Sequence, residues 1–538
     1  MNPRLLLFIT FILLQTQAFA QASLHGKVLD EKGVPLPGAN ILIKGSYDGA
    51  TSGQDGSYRF ETSATGSQVL VFKFLGFKTQ ELAITLDQNS LEIQQIKLIE
   101  EITEMNSVTI SAGAMEASDE KKSVVLRPLD IVTTSGAMGD IVGALQTLPG
   151  TSTVGNDGRL FVRGGDASEV GIYIDGLRVG NAYGSSTANV PTRTRFNPNI
   201  FKGTFFSTGG YSAEYGQALS SALSLNTKDH SLRTQGDLSI MSVGGGYSQT
   251  LANEKHSISL TANYFDLKPY QNLVKQDFDW ERAPNGWDVE LSAQQKLKKG
   301  GLVKVLARTE AGGMELWQTQ PGENGRGMYV NLHNKYSYAQ SNWRNSYDNG
   351  WSLFGGLSVS SNKDDLIIDA TPIERKNLLS HAKFTAIKDF SDRVSMKVGT
   401  EYFIHNYSEK LQLETYLFTE WDWYLSKKLV LRGGLRAGNS QLAEQSWVDP
   451  RLSLAYQVSK FGQVSLASGQ FHQLPIENFR AIDPTIGNSK AKHLILNYLF
   501  QKDGLMFRAE TFYKSYDELI RFEGNPSNPT GLRSTISL

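Results

Sequence analysis

Arg393-Val394-Ser395-Met396-Lys397-Val398-Gly399-Thr400-Glu401-Tyr402-Phe403-Ile404 sets apolar or threonine side chains at the even positions and, Phe403 apart, polar residues or glycine between them. A period of two marks a strand with one apolar face. Trp351 to Val359 repeats the pattern, and so does Leu505 to Tyr513, where Met506, Arg508, Glu510 and Phe512 hold the alternate positions. All 8 tryptophans lie between Trp280 and Trp447, in this strand-rich part. Indole rings favour the boundary between hydrocarbon and water, so the skew predicts aromatic girdles around a membrane barrel. A large soluble sandwich also alternates, but it does not gather tryptophan into its strands. Mean hydropathy is -0.30, and no apolar run of membrane length follows the N-terminus, which argues against a bundle of spanning helices. Barrel strands average to soluble-like hydropathy, so a barrel stays open.

The charge balance removes other classes. Lys+Arg of 53 against Asp+Glu of 54 gives a net charge of -1, without the cationic field that neutralises phosphates, so nucleic acid is not an expected partner. Cysteine is absent, which excludes disulfides, thiolate metal sites and cysteine nucleophiles. There is no His-Glu-x-x-His, phosphate loop or nucleophile elbow. The 8 histidines are scattered, and Asp364-Asp365 sits beside turn residues. No catalytic residue, metal site or cofactor is expected. At the N-terminus, Arg4, the apolar run Leu5 to Leu14 and Ala18-Phe19-Ala20 form a secretory leader over residues 1–20, so export is expected.

Residues 21–99 read as short strands between turn signals, among them Asp30-Glu31-Lys32-Gly33, Pro37-Gly38 and Asp55-Gly56, with Val69 to Phe74 as a mostly buried strand. That is the pattern of a small β-sandwich. The stretches GKVLDEKGVPLPGANILIKGS, GATSGQDGSYRF and LVFKFLGFKTQE resemble the carboxypeptidase-regulatory-like, transthyretin-type sandwich, an accessory module whose name implies no peptidase activity. His25, its single histidine, is read as an ordinary residue. Residues 100–122 have linker composition. Inside them Ser107-Val108-Thr109-Ile110-Ser111 alternates like a strand, either captured by the sheet edge of a partner or paired within the chain's own fold.

Over residues 123–229, Asp140 to Leu148 reads as a short amphipathic helix stopped by Pro149-Gly150. It is followed by Leu160-Phe161-Val162-Arg163-Gly164-Gly165, Val170-Gly171-Ile172-Tyr173-Ile174-Asp175-Gly176, and Gly209-Gly210-Tyr211-Ser212-Ala213-Glu214-Tyr215-Gly216 leading to Leu223 to Lys228. This ordered set resembles the plug domain of TonB-dependent outer-membrane receptors. The resemblance implies a mainly β chain: an N-terminal β-sandwich, a small α+β plug, and an antiparallel transmembrane β-barrel over residues 230–538. It makes Ser107 to Ser111 the TonB box, and it implies that Arg163 and Glu214 pair across the plug and barrel interface. It also implies a TonB-type energy-transducing partner in the periplasm, outer-membrane lipid, and a small-molecule, glycan or peptide ligand. Siderophore-type plugs often carry Arg-Gly-Pro before this last stretch, where this chain has Thr208-Gly209-Gly210. At roughly ten residues per strand with a similar allowance per connection, His230 to Leu538 holds about 14 or 15 strands. Plugged transporters have about 22. A truncated barrel is therefore expected, with a smaller closed barrel as the alternative. The expected function is energy-coupled import; the alternatives are a TonB-linked signalling or surface-binding receptor that moves nothing, or a truncated remnant without function. Trp317 and Tyr183 are ligand platforms or loop packing on this reading.

Overall fold

The computed structural model describes residues 22–99 and 124–537, short internal stretches apart. The expected leader, and the expected strand at Ser107 to Ser111, lie outside the described residues. The chain divides into two compact units, residues 1–114 and 115–538.

The first unit is a sandwich of two sheets. Ser57–Thr62, Ala22–Asp30 and Leu91–Leu98 form one; Gly49–Thr51, Asn40–Ile43, Gly66–Lys73 and Gln80–Leu86 form the other. Leu24, Val28, Ile41, Leu70 and Phe72 share one core between them. Alternation along Ser57–Thr62 sends Tyr58, Phe60 and Thr62 inward. At the Asp55-Gly56 turn, Gly56 holds φ +74°, and a Cβ there would lie 2.5 Å from the Val28 carbonyl oxygen, so the turn requires glycine.

In the second unit a mixed five-stranded sheet runs Leu177–Arg178, Val170–Ile174, Ser221–Thr227, Phe201–Ser207, Val124–Leu126. Its two central strands pair in parallel and are buried along their whole length. A small sheet covered on both faces must be enclosed. The helix expected over Asp140 to Leu148 is shorter, Ile141–Leu145: Asp140 caps it through the Gly143 amide at 2.8 Å, and it ends at Gln146, ahead of the Pro149-Gly150 turn.

Around that sheet lies an antiparallel sheet of 16 strands among the described residues, from Gln235–Met241 to Leu505–Asp517 and the short Ile536–Ser537. Fifteen are consecutive in sequence, in line with the expected strand number. Among the described residues the two ends of the sheet are not paired with each other, so this barrel wall is open and the smaller closed barrel is not formed there.

The wall is inside out relative to a soluble protein. In Lys410–Ser426, Leu411 and Leu417 are exposed while Gln412, Glu414 and Glu420 are buried. In Val394–Tyr407 the even positions Val398, Tyr402 and Ile404 face out, and Glu401 and His405 face in. Apolar side chains facing outward over a polar lumen are the arrangement of a barrel that meets hydrocarbon. One end carries short turns, such as those after Ser391 and Ser426; the other carries long connections, including those with the helices Lys268–Leu273 and Glu477–Ile482. Tryptophans mark both ends. Trp421 and Trp423 face out near the short turns, rings stacked at 6.0 Å. Trp447, at the long-loop end, departs from the girdle expectation: it is buried in the lumen, edge-on to Tyr416.

Candidate functional site

The five-stranded sheet and its loops touch every wall strand from Leu302–Gln318 to Leu505–Asp517, always through side chains on the polar phase of the strand. This seam between stopper and wall is the candidate site. Its chemistry is that of buried charges, which must be paired and hydrogen-bonded.

Glu214 lies at the centre. Its carboxylate accepts from Lys397 at 2.7 Å and pairs with Lys383 at 2.9 Å. Burial alone would raise its pKa, but the two ammonium groups prevail and hold it at about 2. Lys383 also donates to the Gly176 carbonyl at 3.2 Å. Arg436, fully buried, donates to the carbonyls of Ala213 and Glu214 at 3.2 Å and pairs with Glu401. Gly216 packs on that guanidinium so closely that a Cβ would lie 2.2 Å from its Nε. Arg451 holds the carbonyls of Tyr211, Ser212 and Tyr215, and Tyr215 packs against Tyr173 at 4.8 Å.

Arg163 sits on the opposite side. It adopts φ +50°, pairs with Glu510, and lies 4.4 Å over the Phe512 ring. Burial lowers its pKa to about 10. Leu148 packs on the stopper's core, while the Gly150 carbonyl accepts the Arg163 amide at 3.0 Å; the Pro149-Gly150 turn thus aims the Arg163 loop. Gly164 and Gly165 bring this loop against the wall, where a Cβ on Gly165 would lie 3.0 Å from the Tyr516 hydroxyl. Asp175, also at positive φ, accepts from the Thr227 amide at 2.9 Å and from Gln340 at 2.9 Å, closing the Gly176 turn onto the wall.

The structure therefore brings Arg163, Asp175, Gly176, Glu214, Tyr215 and Gly216 to one seam. Leu148 and Pro149 stand behind it, and Ser107 to Ser111 fall outside the described residues. Sequence reading did not find the wall partners, Glu510, Lys383, Lys397, Arg436 and Arg451, nor the pair of Arg195 with Glu310. It also missed the carboxylate of Asp229, which joins Lys304 at 3.1 Å and Arg344 at 2.8 Å. Tyr183 is loop packing, receiving the Leu160 amide at 3.3 Å. Trp317 donates to Glu281 at 3.0 Å and packs on Tyr329. Among the described residues there is no His/Cys/Asp/Glu group able to hold a metal.

Residues 24–110 match the model of the CarboxypepD_reg-like domain, and residues 128–222 match that of the TonB-dependent Receptor Plug Domain. The chain is similar to the TonB-dependent receptor SusC of Bacteroides thetaiotaomicron, 28% identical over 189 residues, covering 33% of this chain and 18% of that protein. It is also similar to the TonB-dependent receptor P3 of Formosa agariphila, 38% identical over 96 residues, 18% of this chain and 9% of the other. The chain thus spans under a fifth of the curated relatives it matches. In fold it is similar to the ferric enterobactin receptor PfeA of Pseudomonas aeruginosa (TM-score 0.62, 13% identity, 75% of this chain and 73% of that one). The hemophore receptor HasR of Serratia marcescens is likewise similar (TM-score 0.58, 13% identity, 78% and 77%).

Proposed function

We propose, for a chain that carries a CarboxypepD_reg-like domain ahead of a TonB-dependent receptor plug domain, energy-coupled import of a ligand across the outer membrane of a Gram-negative bacterium. The N-terminal sandwich lies in the periplasm. A TonB-type protein pairs with the strand Ser107 to Ser111 and pulls, and the plug yields. The observation that carries this reading is the seam: a small sheet held inside a polar wall by ionic and carbonyl contacts, each strong in place and each replaceable by water once the plug moves. An apolar contact of the same area would have no such exchange partner. Ligand bound at the long-loop face must favour the released plug for coupling to exist.

The test uses a photo-crosslinking residue at Val108 in cells. Crosslinking to a TonB-type protein, abolished by Ile110→Pro, supports the reading, because proline removes a donor of the captured strand. Absence of any such crosslink in a folded, outer-membrane-inserted chain overturns it. Crosslinking without energy-dependent accumulation of any ligand would favour the signalling receptor instead.

A further inference from the structure

Four neighbouring wall strands leave a groove on their outward face. The rungs Trp343, Gly355, Phe384, Thr400 and Ser341, Leu357, Ala382, Tyr402 are in register. Large and small side chains alternate along each rung and between rungs. Trp343, Leu357, Phe384 and Tyr402 therefore stand as walls around the small residues, and the depression has a volume of about 490 Å³. Its walls are open to the surroundings: Leu357 is 63% exposed and Phe384 45%. Gly355 is not required by the backbone, since a Cβ there would meet nothing nearer than Trp343 at 3.8 Å.

Toward the short-turn end, the same outward face carries Trp351 opposite Lys388, whose ammonium lies 5.5 Å from the indole centroid. Arg393 and Lys428 stand at that end too, with exposed Asp392 in the same turn as Arg393; Lys388 donates to the Asn349 carbonyl, and Asp389 beside it is on the inward phase of the strand. Four residues separate Trp351 from Gly355, about 13 Å at roughly 3.3 Å per residue. Strand tilt reduces this to mid-leaflet depth, since half the hydrocarbon core is about 15 Å. Short turns belong to the periplasmic side of such barrels.

We propose that this groove is a phospholipid site: one acyl chain of a periplasmic-leaflet lipid lies between Trp343, Phe384 and Tyr402, and its phosphate meets Lys388 beside Trp351. An alkyl chain is the occupant because the face meets hydrocarbon. An anionic headgroup is the partner because the charge on the outward face above the groove is the Lys388 ammonium, beside Trp351. The proposal rests on the membrane placement in the proposed function.

The experiment uses the full chain in vesicles of phosphatidylethanolamine and phosphatidylglycerol doped with a phosphatidylglycerol bearing a photoreactive acyl chain, with labelled residues mapped by mass spectrometry. The reference residues are Leu452, Leu454, Leu494 and Leu496, outward on distant strands. Label at the reference residues reports insertion alone. Several-fold enrichment at Leu357 and Tyr402 over them, lost in Gly355→Leu and reduced in Lys388→Gln with reference labelling unchanged, supports the site. Even labelling of both regions overturns it, as does a groove that is less labelled than the references because a second copy covers it. No label at the references would instead overturn the membrane placement on which the proposal stands.

Discussion

Glu214 neutralises two ammonium groups at the seam, that of Lys383 fully buried and that of Lys397 largely so. Replacing it by Gln leaves Lys383 to the Gly176 carbonyl and to Glu401 at 3.6 Å and takes the carboxylate from Lys397, and breaking a buried pair from one side costs about 3–5 kcal/mol. The loss is expected in local opening of the seam, read as faster hydrogen exchange at the Tyr215 amide, which bonds the Ser212 carbonyl at 3.1 Å; adding Lys397→Met should recover part of it. Unchanged exchange in Glu214→Gln would show that Arg436 and Arg451, donating to the carbonyls of Tyr211 to Tyr215, hold this loop without the carboxylate. Because its pKa is held at about 2 against an ordinary 4.5, the stability that Glu214 contributes is in place above pH 4.5 and is lost as pH falls toward 2. Glu169 behaves in the opposite sense. Burial pushes its carboxyl up to about 7, so the docked plug takes up a proton there; docking is favoured below pH 4.5 and opposed as pH climbs through 7. The amides of Leu219 and Ser220 both bond the Glu169 carbonyl at 3.1 Å. After correction for intrinsic rates they should exchange faster at pH 8 than at pH 5, and Glu169→Gln should flatten that difference.

Among the elements, strand alternation was the most legible feature, and its sense was legible too. The even positions of Val394 to Ile404 read as apolar and are the outward face, while the interrupting Lys397 and Glu401 already held two of the seam's charges. What could not be read was whom they meet. Lys397 and Glu214 lie 183 positions apart, and no local period connects a glycine-rich loop to a strand so distant. Phe403 shows the same limit: its odd position looked like an exception, but it faces inward and stacks on His381 at 4.1 Å. The short helix after Asp140 was legible from its cap, which also binds the Thr194 amide at 3.0 Å; its end was not, since it stops at Leu145, ahead of the Pro149-Gly150 turn. Inversion of the wall gives this scale its own prediction. Leu417→Arg, at a site 61% exposed, should cost about 2–4 kcal/mol in a bilayer at mid-depth, seen as reduced insertion into phosphatidylcholine vesicles. Glu254→Arg, at an exposed site in the short turn after Ala252, should be nearly silent, and equal insertion of both variants would mean that the outward face does not meet lipid.

For the whole molecule, enclosure and openness are in tension. Eleven wall strands grip the plug, yet among the described residues Gln235–Met241 pairs only with Gly244–Ala252, and its side chains are exposed along its length, with Ile240 84% exposed. A strand edge in hydrocarbon leaves each outward N–H and C=O without a partner, at several kcal/mol per group. Among the described residues the plug does not relieve this, because its bonds to the wall run from Lys304 to Tyr516 and hold the last long strand. The two edges of the wall should therefore differ in dynamics. Hydrogen exchange on the 538-residue chain in detergent should be fast at the outward amides of Gln235–Met241 and slow along Lys490 to Tyr516, where both strand pairing and plug contacts resist opening. If the Gln235–Met241 amides prove as protected as those of Lys410–Ser426, another strand covers that edge and the wall closes in solution. If Leu505–Asp517 exchanges as fast as Gln235–Met241, the Arg163 and Glu510 pair is not what anchors the end of the sheet.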